Sequence, residues 1–198
     1  MRYFFGAVFA LAASVSPIHA AEHPALSASK ALCMANHADP DKVVLAAKAE
    51  GWQPPSASTT VYPGEILLVR SVGASSWMLS LRTQDNSKFG LTASRMCNIS
   101  VGPSEGDIVG SVREFVGFEP ASTGEGGVAI WYFVMKSGRR ESLPDTRAIT
   151  FAEALNKGPV ISIFAGGGGS ITQVQYSEYT PWPKSTPSES RRARKKAN

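Results

Sequence analysis

The chain has 198 residues, of which 43% are hydrophobic and 18% charged, and it carries a formal net charge of +4. That apolar content excludes a disordered polypeptide, and the length suits one domain plus a tail. Two cysteines and three histidines are too few for a disulfide-dense miniature fold or a cysteine-rich zinc module.

Residues 1–20 read as a signal peptide. Arg2 supplies the positive start, residues 4–15 form an apolar run, and Pro17, Ile18, His19 and Ala20 make a cleavage site before Ala21. The alternative, a retained anchor, needs ~20 apolar residues to cross a bilayer as a helix, more than this run supplies. Lys30, Ala31 and Leu32 before Cys33 do not form a lipobox. The expectation is a periplasmic or secreted protein with no transmembrane anchor after cleavage, a single domain over 21–179, and a disordered Pro/Ser/basic tail over 180–198.

Ser27 can cap a short helix over 28–36. Asp39-Pro40-Asp41 then restarts a helix with an N-cap, a proline at the first helical position and an acid near the positive dipole end. That helix runs to Glu50, Gly51 supplies a left-handed cap, and Trp52 folds back onto its inner face. Residues 53–60 are rich in Pro, Ser and Thr and read as a loop. Strands are predicted over 65–72 and 77–83 around a 73–76 hairpin, and again over 88–101 after a turn at 85–87.

Ser104 and Asp107 resemble a capping box ahead of Ile108, Val109, Val112, Phe115 and Val116, which share one helical face up to Gly117. Residues 119–127 read as a loop. Residues 128–136 are dense in β-branched and aromatic side chains, which predicts a central strand buried on both faces; a turn at Ser137-Gly138 leads into 139–143. Thr150 and Glu153 form a second capping box for a helix ending at Gly158-Pro159. Strands over 160–165 and 170–176 flank Gly166, Gly167, Gly168 and Gly169. This order predicts an α+β fold: a mostly antiparallel sheet packed by helices.

Cys33 and Cys97 are the only cysteines. In an exported chain two such residues pair, tying the first helix to the third strand; two buried free thiols are the alternative. Cys33 lies in an Ala-rich helix followed by Gly51-Trp52, and Met96-Cys97 lies near a strand end. Over residues 28–101 this arrangement resembles a group of uncharacterised small exported proteobacterial proteins. The resemblance implies a periplasmic or secreted location and supports the Cys33–Cys97 pairing; it carries no activity.

The sequence offers few groups for chemistry. Gly166 to Gly169 lack the Lys-Ser/Thr of a phosphate loop and the preceding His of a lipase oxyanion loop, so they read as a hairpin and a possible contact loop. Cys33 and His37 share a helical face but lack further metal ligands. His37 is the one histidine well inside the domain, next to the helix break at Asp39, and is expected to face solvent; a serine triad would have to use it. Glu65, Asp107, Glu114 and Glu141 are candidate carboxylates for acid–base work, each also explicable as a surface or capping residue. Asn98-Ile99-Ser100 matches a glycosylation sequon inside a predicted strand. No catalytic residue, metal or cofactor is assigned.

Charge is uneven along the chain. Arg2 lies in the leader and Lys184, Arg191, Arg192, Arg194, Lys195 and Lys196 lie in the last fifteen residues, leaving 13 basic against 15 acidic residues over 21–183. The basicity belongs to the tail. After export its partners are anionic envelope surfaces rather than a specific nucleic acid. The reading is an exported, non-enzymatic binding or envelope-associated protein of unknown ligand. The alternatives are a small envelope-polymer hydrolase using carboxylates and a secreted protein-binding inhibitor or effector.

The tail generates a direct expectation, since each basic group near an anionic bilayer contributes about 1 kcal/mol and salt screens it. Retention on anionic phospholipid vesicles is expected to fall on deleting residues 184–198 and on raising salt. Retention that neither change alters would exclude the tail as the attachment.

Overall fold

The computed structural model describes residues 22–85, 92–103, 106–143, 147–168 and 170–181. The expected signal peptide and the basic residues of the tail lie outside the described residues.

Helix α1 (Pro24–Ala28) passes directly into a π-helical segment, Ser29–Met34. Its cap is His23 rather than the expected Ser27: the imidazole Nδ1 accepts from the Ala25 amide at 3.1 Å, and Pro24 opens the helix. A ring nitrogen can do what a serine hydroxyl does at a cap, and it starts the helix four residues earlier than predicted. Helix α2 (Pro40–Ala49) follows the sequence reading. The Asp39 carboxylate accepts from the Lys42 amide, Gly51 sits at φ +85°, and the amides of Gly51 and Trp52 close a Schellman pair onto Lys48 and Ala47. Trp52 is buried and meets Trp77 edge-on, with the Arg70 guanidinium over both rings at 4.8 and 5.6 Å.

Among the described residues eight strands form one antiparallel sheet: β1 (Glu65–Val72), β2 (Ser75–Asp85), β3 (Thr92–Gly102), β4 (Ser122–Gly124), β5 (Val128–Lys136), β6 (Arg139–Ser142), β7 (Val160–Gly168) and β8 (Ile171–Pro181). The spatial order is β1-β2-β3-β8-β7-β5-β4, with β6 also on β5. The last hairpin is therefore inserted between β3 and β5. Strand β8 runs two residues past the domain boundary expected at 179, and β7 extends through Gly168, beyond the predicted end at 165. Strand β4 lies inside the stretch read as a loop. Helix α3 (Ile108–Val116) is capped by Asp107, whose carboxylate accepts from Gly110 at 2.8 Å; Ser104 lies outside the described residues. Helix α4 (Ala148–Lys157) begins before Thr150, so Thr150 and Glu153 sit within the helix instead of forming its capping box.

Strand alternation assigns the two faces. On the first face, register carries one apolar row through Leu68, Leu79, Ile99, Val174, Ala165 and Ala129, and the next through Leu81, Cys97, Tyr176, Ile163 and Trp131. All of these are buried, and α1, the π segment, α2 and α3 contribute to the same core. The second face is mixed: Ser80, Asn98 and Gln175 align across three strands, while α4 covers only the end near Tyr132, Val134, Val160 and Tyr179. Strand β5 is therefore not buried on both faces. Ala129, Trp131 and Phe133 are buried, but Ile130, Tyr132 and Val134 are half-buried because α4 covers only part of that side. The antiparallel sheet is as expected, while the helices make a thin cover over a molecule dominated by its sheet.

The Cys33–Cys97 disulfide forms, joining the π segment to β3 across a sequence separation of 64. In the chain-entropy account a loop of that length contributes about 4 kcal/mol. Replacing both cysteines by serine should lower unfolding stability by an amount of that order in urea melts. An unchanged transition would show that the bridge does not restrain the unfolded chain.

Candidate functional site

Strand β8 places Val174, Tyr176 and Glu178 on the helix-covered face in succession. The first two complete the core, and the third brings a carboxylate to the end of the sheet, directly opposite Ile161 of β7 and Arg95 of β3. Across from it, the chain turns from the π segment into α2 through His37 and Ala38, both left-handed at φ +53° and +48°. That conformation costs a non-glycine residue on the order of 1 kcal/mol or more. It is held by the Ala38 amide donating to Cys33 O at 2.8 Å, by Asn36 Nδ2 donating to Leu32 O at 2.9 Å, and by burial of Ala38.

The result is a three-residue network. His37 Nδ1 lies 3.1 Å from Glu178 Oε2, and the Tyr176 hydroxyl donates to that same oxygen at 3.1 Å. The Glu178 side chain is 12% exposed and the His37 side chain 72%, so the carboxylate is held inside and the imidazole reaches it from solvent. Burial, then the negative charge of Glu178 and the hydrogen bond to it, push the Tyr176 phenol well above its ordinary pKa. Arg95 pairs with Asp39 at 3.7 Å beside the network.

A cavity of about 500 Å³ opens at this end of the sheet. Its origin is a mismatch in strand length. The last pair between β5 and β7 is Val134 with Val160, and β5 then continues for two residues paired only with β6. The β5–β6 hairpin so projects past the Gly158-Pro159 turn. The cavity is lined by His37, Glu178 and Ile161, by Val134 of β5 and Leu143 just after β6, and by Thr150, Glu153, Ala154 and Lys157 of α4. Lys136 and Glu141, ion-paired at 3.1 Å, stand at the same opening. The volume suits a small molecule, with apolar walls and a few polar groups to orient it. Among the described residues no group of three His, Cys, Asp or Glu side chains can hold a metal ion.

Sequence reading reached part of this site. His37 is largely exposed as expected, yet it also has a specific partner. Of the four candidate carboxylates only Glu141 reaches the cavity. Glu65 opens β1, Asp107 caps α3 and Glu114 is exposed on α3. Tyr176, inside the predicted strand, carried no partner in the sequence to mark it, and Glu178 was missed as a site residue because that strand stopped at 176. Continuing its alternation one step would have placed Glu178 on the buried face.

Gly166, Gly167 and Gly168 lie in β7, and Gly169 is outside the described residues. A side chain at Gly166 would come within 2.6 Å of Val128 Cγ1, and one at Gly167 would run into the carbonyl oxygen of Ile171. Close backbone approach explains these two glycines. Asn98 of the sequon sits between β2 and β8 and donates to Ser100 Oγ at 3.0 Å. No protein-family model, curated protein or solved structure matches this chain.

The raised Tyr176 pKa makes stability depend on pH with a definite sign. Above about pH 10 the unfolded tyrosine loses its proton while the folded one keeps it, so stability declines as pH rises past that value. Denaturant melts across this range should show the decline, and Tyr176→Phe should flatten it. An equally steep decline in the variant would locate the effect elsewhere, for example at Tyr132, whose pKa is also raised by burial and by Tyr179.

Proposed function

We propose that this is an exported, non-enzymatic binding protein of the cell envelope that holds a small ligand in the cavity at the end of its sheet. The observation that carries this reading is the His37–Glu178–Tyr176 network on the cavity wall. A nearly buried carboxylate is costly unless it is well partnered, and here it is held in a fixed orientation beside an open apolar space. Export rests on the leader at 1–20, with the Cys33–Cys97 bridge as support, since such bridges persist in oxidising compartments. The resemblance over residues 28–101 points the same way. The basic tail adds contact with anionic envelope surfaces.

A second reading, a small hydrolase of an envelope polymer, is favoured by one observation: Glu141, Glu153 and Glu178 come from three elements to one cavity. Binding is preferred because Glu141 is already ion-paired with Lys136, and the least exposed of the three, Glu178, already accepts from the Tyr176 hydroxyl.

The test is to fractionate cells making the full chain and to examine the purified protein by native mass spectrometry. The expected result is a mature chain beginning at Ala21, recovered oxidised from the envelope or medium, with a small-molecule adduct. The adduct should be lost in Met135→Trp, where added bulk fills the cavity from a side chain already 51% exposed. Cytoplasmic recovery with free thiols would reject export. Turnover of an envelope polymer that disappears in Glu178→Gln would favour the hydrolase.

A further inference from the structure

We infer that the cavity takes a ligand carrying a protonated amine on a short apolar body, with Glu178 as the group that receives the amine; this rests on the cavity being the ligand site. Glu178 uses its oxygens unequally. Oε2 meets both His37 Nδ1 and the Tyr176 hydroxyl, while Oε1 meets no hydrogen-bond donor among the described residues. A carboxylate on a cavity wall, with a side chain 12% exposed and one oxygen that meets no protein donor, can accept from a ligand.

Two of the neighbouring permanent cations are engaged elsewhere, and the third, Lys157, makes no ion pair with Glu178. Arg95, directly opposite Glu178 in register, pairs with Asp39, and Lys136 pairs with Glu141. Among the described residues the one ion-pair partner of Glu178 is His37, so no lysine or arginine balances its charge at contact distance and a ligand cation can do so. The lining as a whole leans the same way: among its carboxylate and lysine side chains, Glu141, Glu153 and Glu178 outnumber Lys136 and Lys157. A ligand carboxylate or phosphate would meet that excess unfavourably, and a neutral hydroxyl would satisfy Oε1 without balancing its charge. Val134, Leu143, Ala154 and Ile161 supply apolar walls, and about 500 Å³ admits a body the size of a substituted benzene ring.

Three probes of the same shape separate the possibilities: benzylamine, benzyl alcohol and benzoate, titrated into the oxidised protein and followed by backbone-amide chemical shifts. Benzylamine should bind at the cavity residues at least tenfold more tightly than either of the others. Glu178→Gln should reduce its affinity to that of benzyl alcohol, and Met135→Trp should weaken all binding there. Should Glu178→Gln fail to fold, the ranking of probes on the unaltered protein and the Met135→Trp result still decide. If benzyl alcohol or benzoate binds the cavity as well as benzylamine does, the amine inference is wrong while the cavity stands as a site. If none of the three shifts cavity residues at millimolar concentration, both are wrong. Benzylamine binding that survives both substitutions lies elsewhere and overturns the inference.

Discussion

The Cys33–Cys97 bridge fixes the relation between the helical cover and the sheet, and the candidate site depends on that relation. Cys97 lies in the second apolar row, directly opposite Tyr176 of β8. Cys33 lies in the π segment, four residues before His37. Joining them therefore brings the His37 turn toward the strand end where Glu178 emerges, two residues beyond Tyr176. The hydrogen bond from the Ala38 amide back to Cys33 O ties the turn to the bridge itself. An exposed imidazole on an unanchored turn would reach a given carboxylate only part of the time; this one starts from a fixed base.

The sheet carries two kinds of surface because its strands alternate strictly. One face is a continuous apolar field across six strands, and it is large enough that short helices suffice to cover it. Small residues on those helices, including Ala25 and Ala47, let backbones approach the sheet closely. The other face alternates serine, asparagine and glutamine with scattered apolar groups, and α4 covers one end only. Covalent closure, apolar burial and cap geometry agree on the same arrangement, which is the consistency expected of a sequence that specifies one structure.

The cavity arises from topology rather than from a dedicated loop. Strand β5 outruns β7, and β6 extends it, while α4 returns to β7 through Gly158-Pro159. The space left at that corner is walled by side chains from both faces of the sheet. Its polar groups thus come from elements far apart in sequence: the turn before α2, the hairpin strands, α4 and the end of β8. Only Glu178 among its carboxylates is nearly buried by the fold itself.

Local chemistry was legible in the chain. Asp39-Pro40, Gly51-Trp52, Asp107 and Gly117 mark helix ends through hydrogen bonds made within a few residues, so their effect appears in sequence. The same locality explains the hairpins at Gly73 and Ser137-Gly138 and the two-residue alternation of the strands. The cap at His23 and the early start of α4 escaped because neither uses the usual capping residues. The sequence by itself thus determined the type and approximate place of most described elements, the uneven charge and the availability of one cysteine pair. The tertiary structure alone decided that β8 enters between β3 and β7, that β5 overruns its neighbour, and that His37, Tyr176 and Glu178 meet. Those outcomes depend on register and strand order between segments up to 141 residues apart, which are set by burial summed over the whole sheet and leave no short-range mark on the chain.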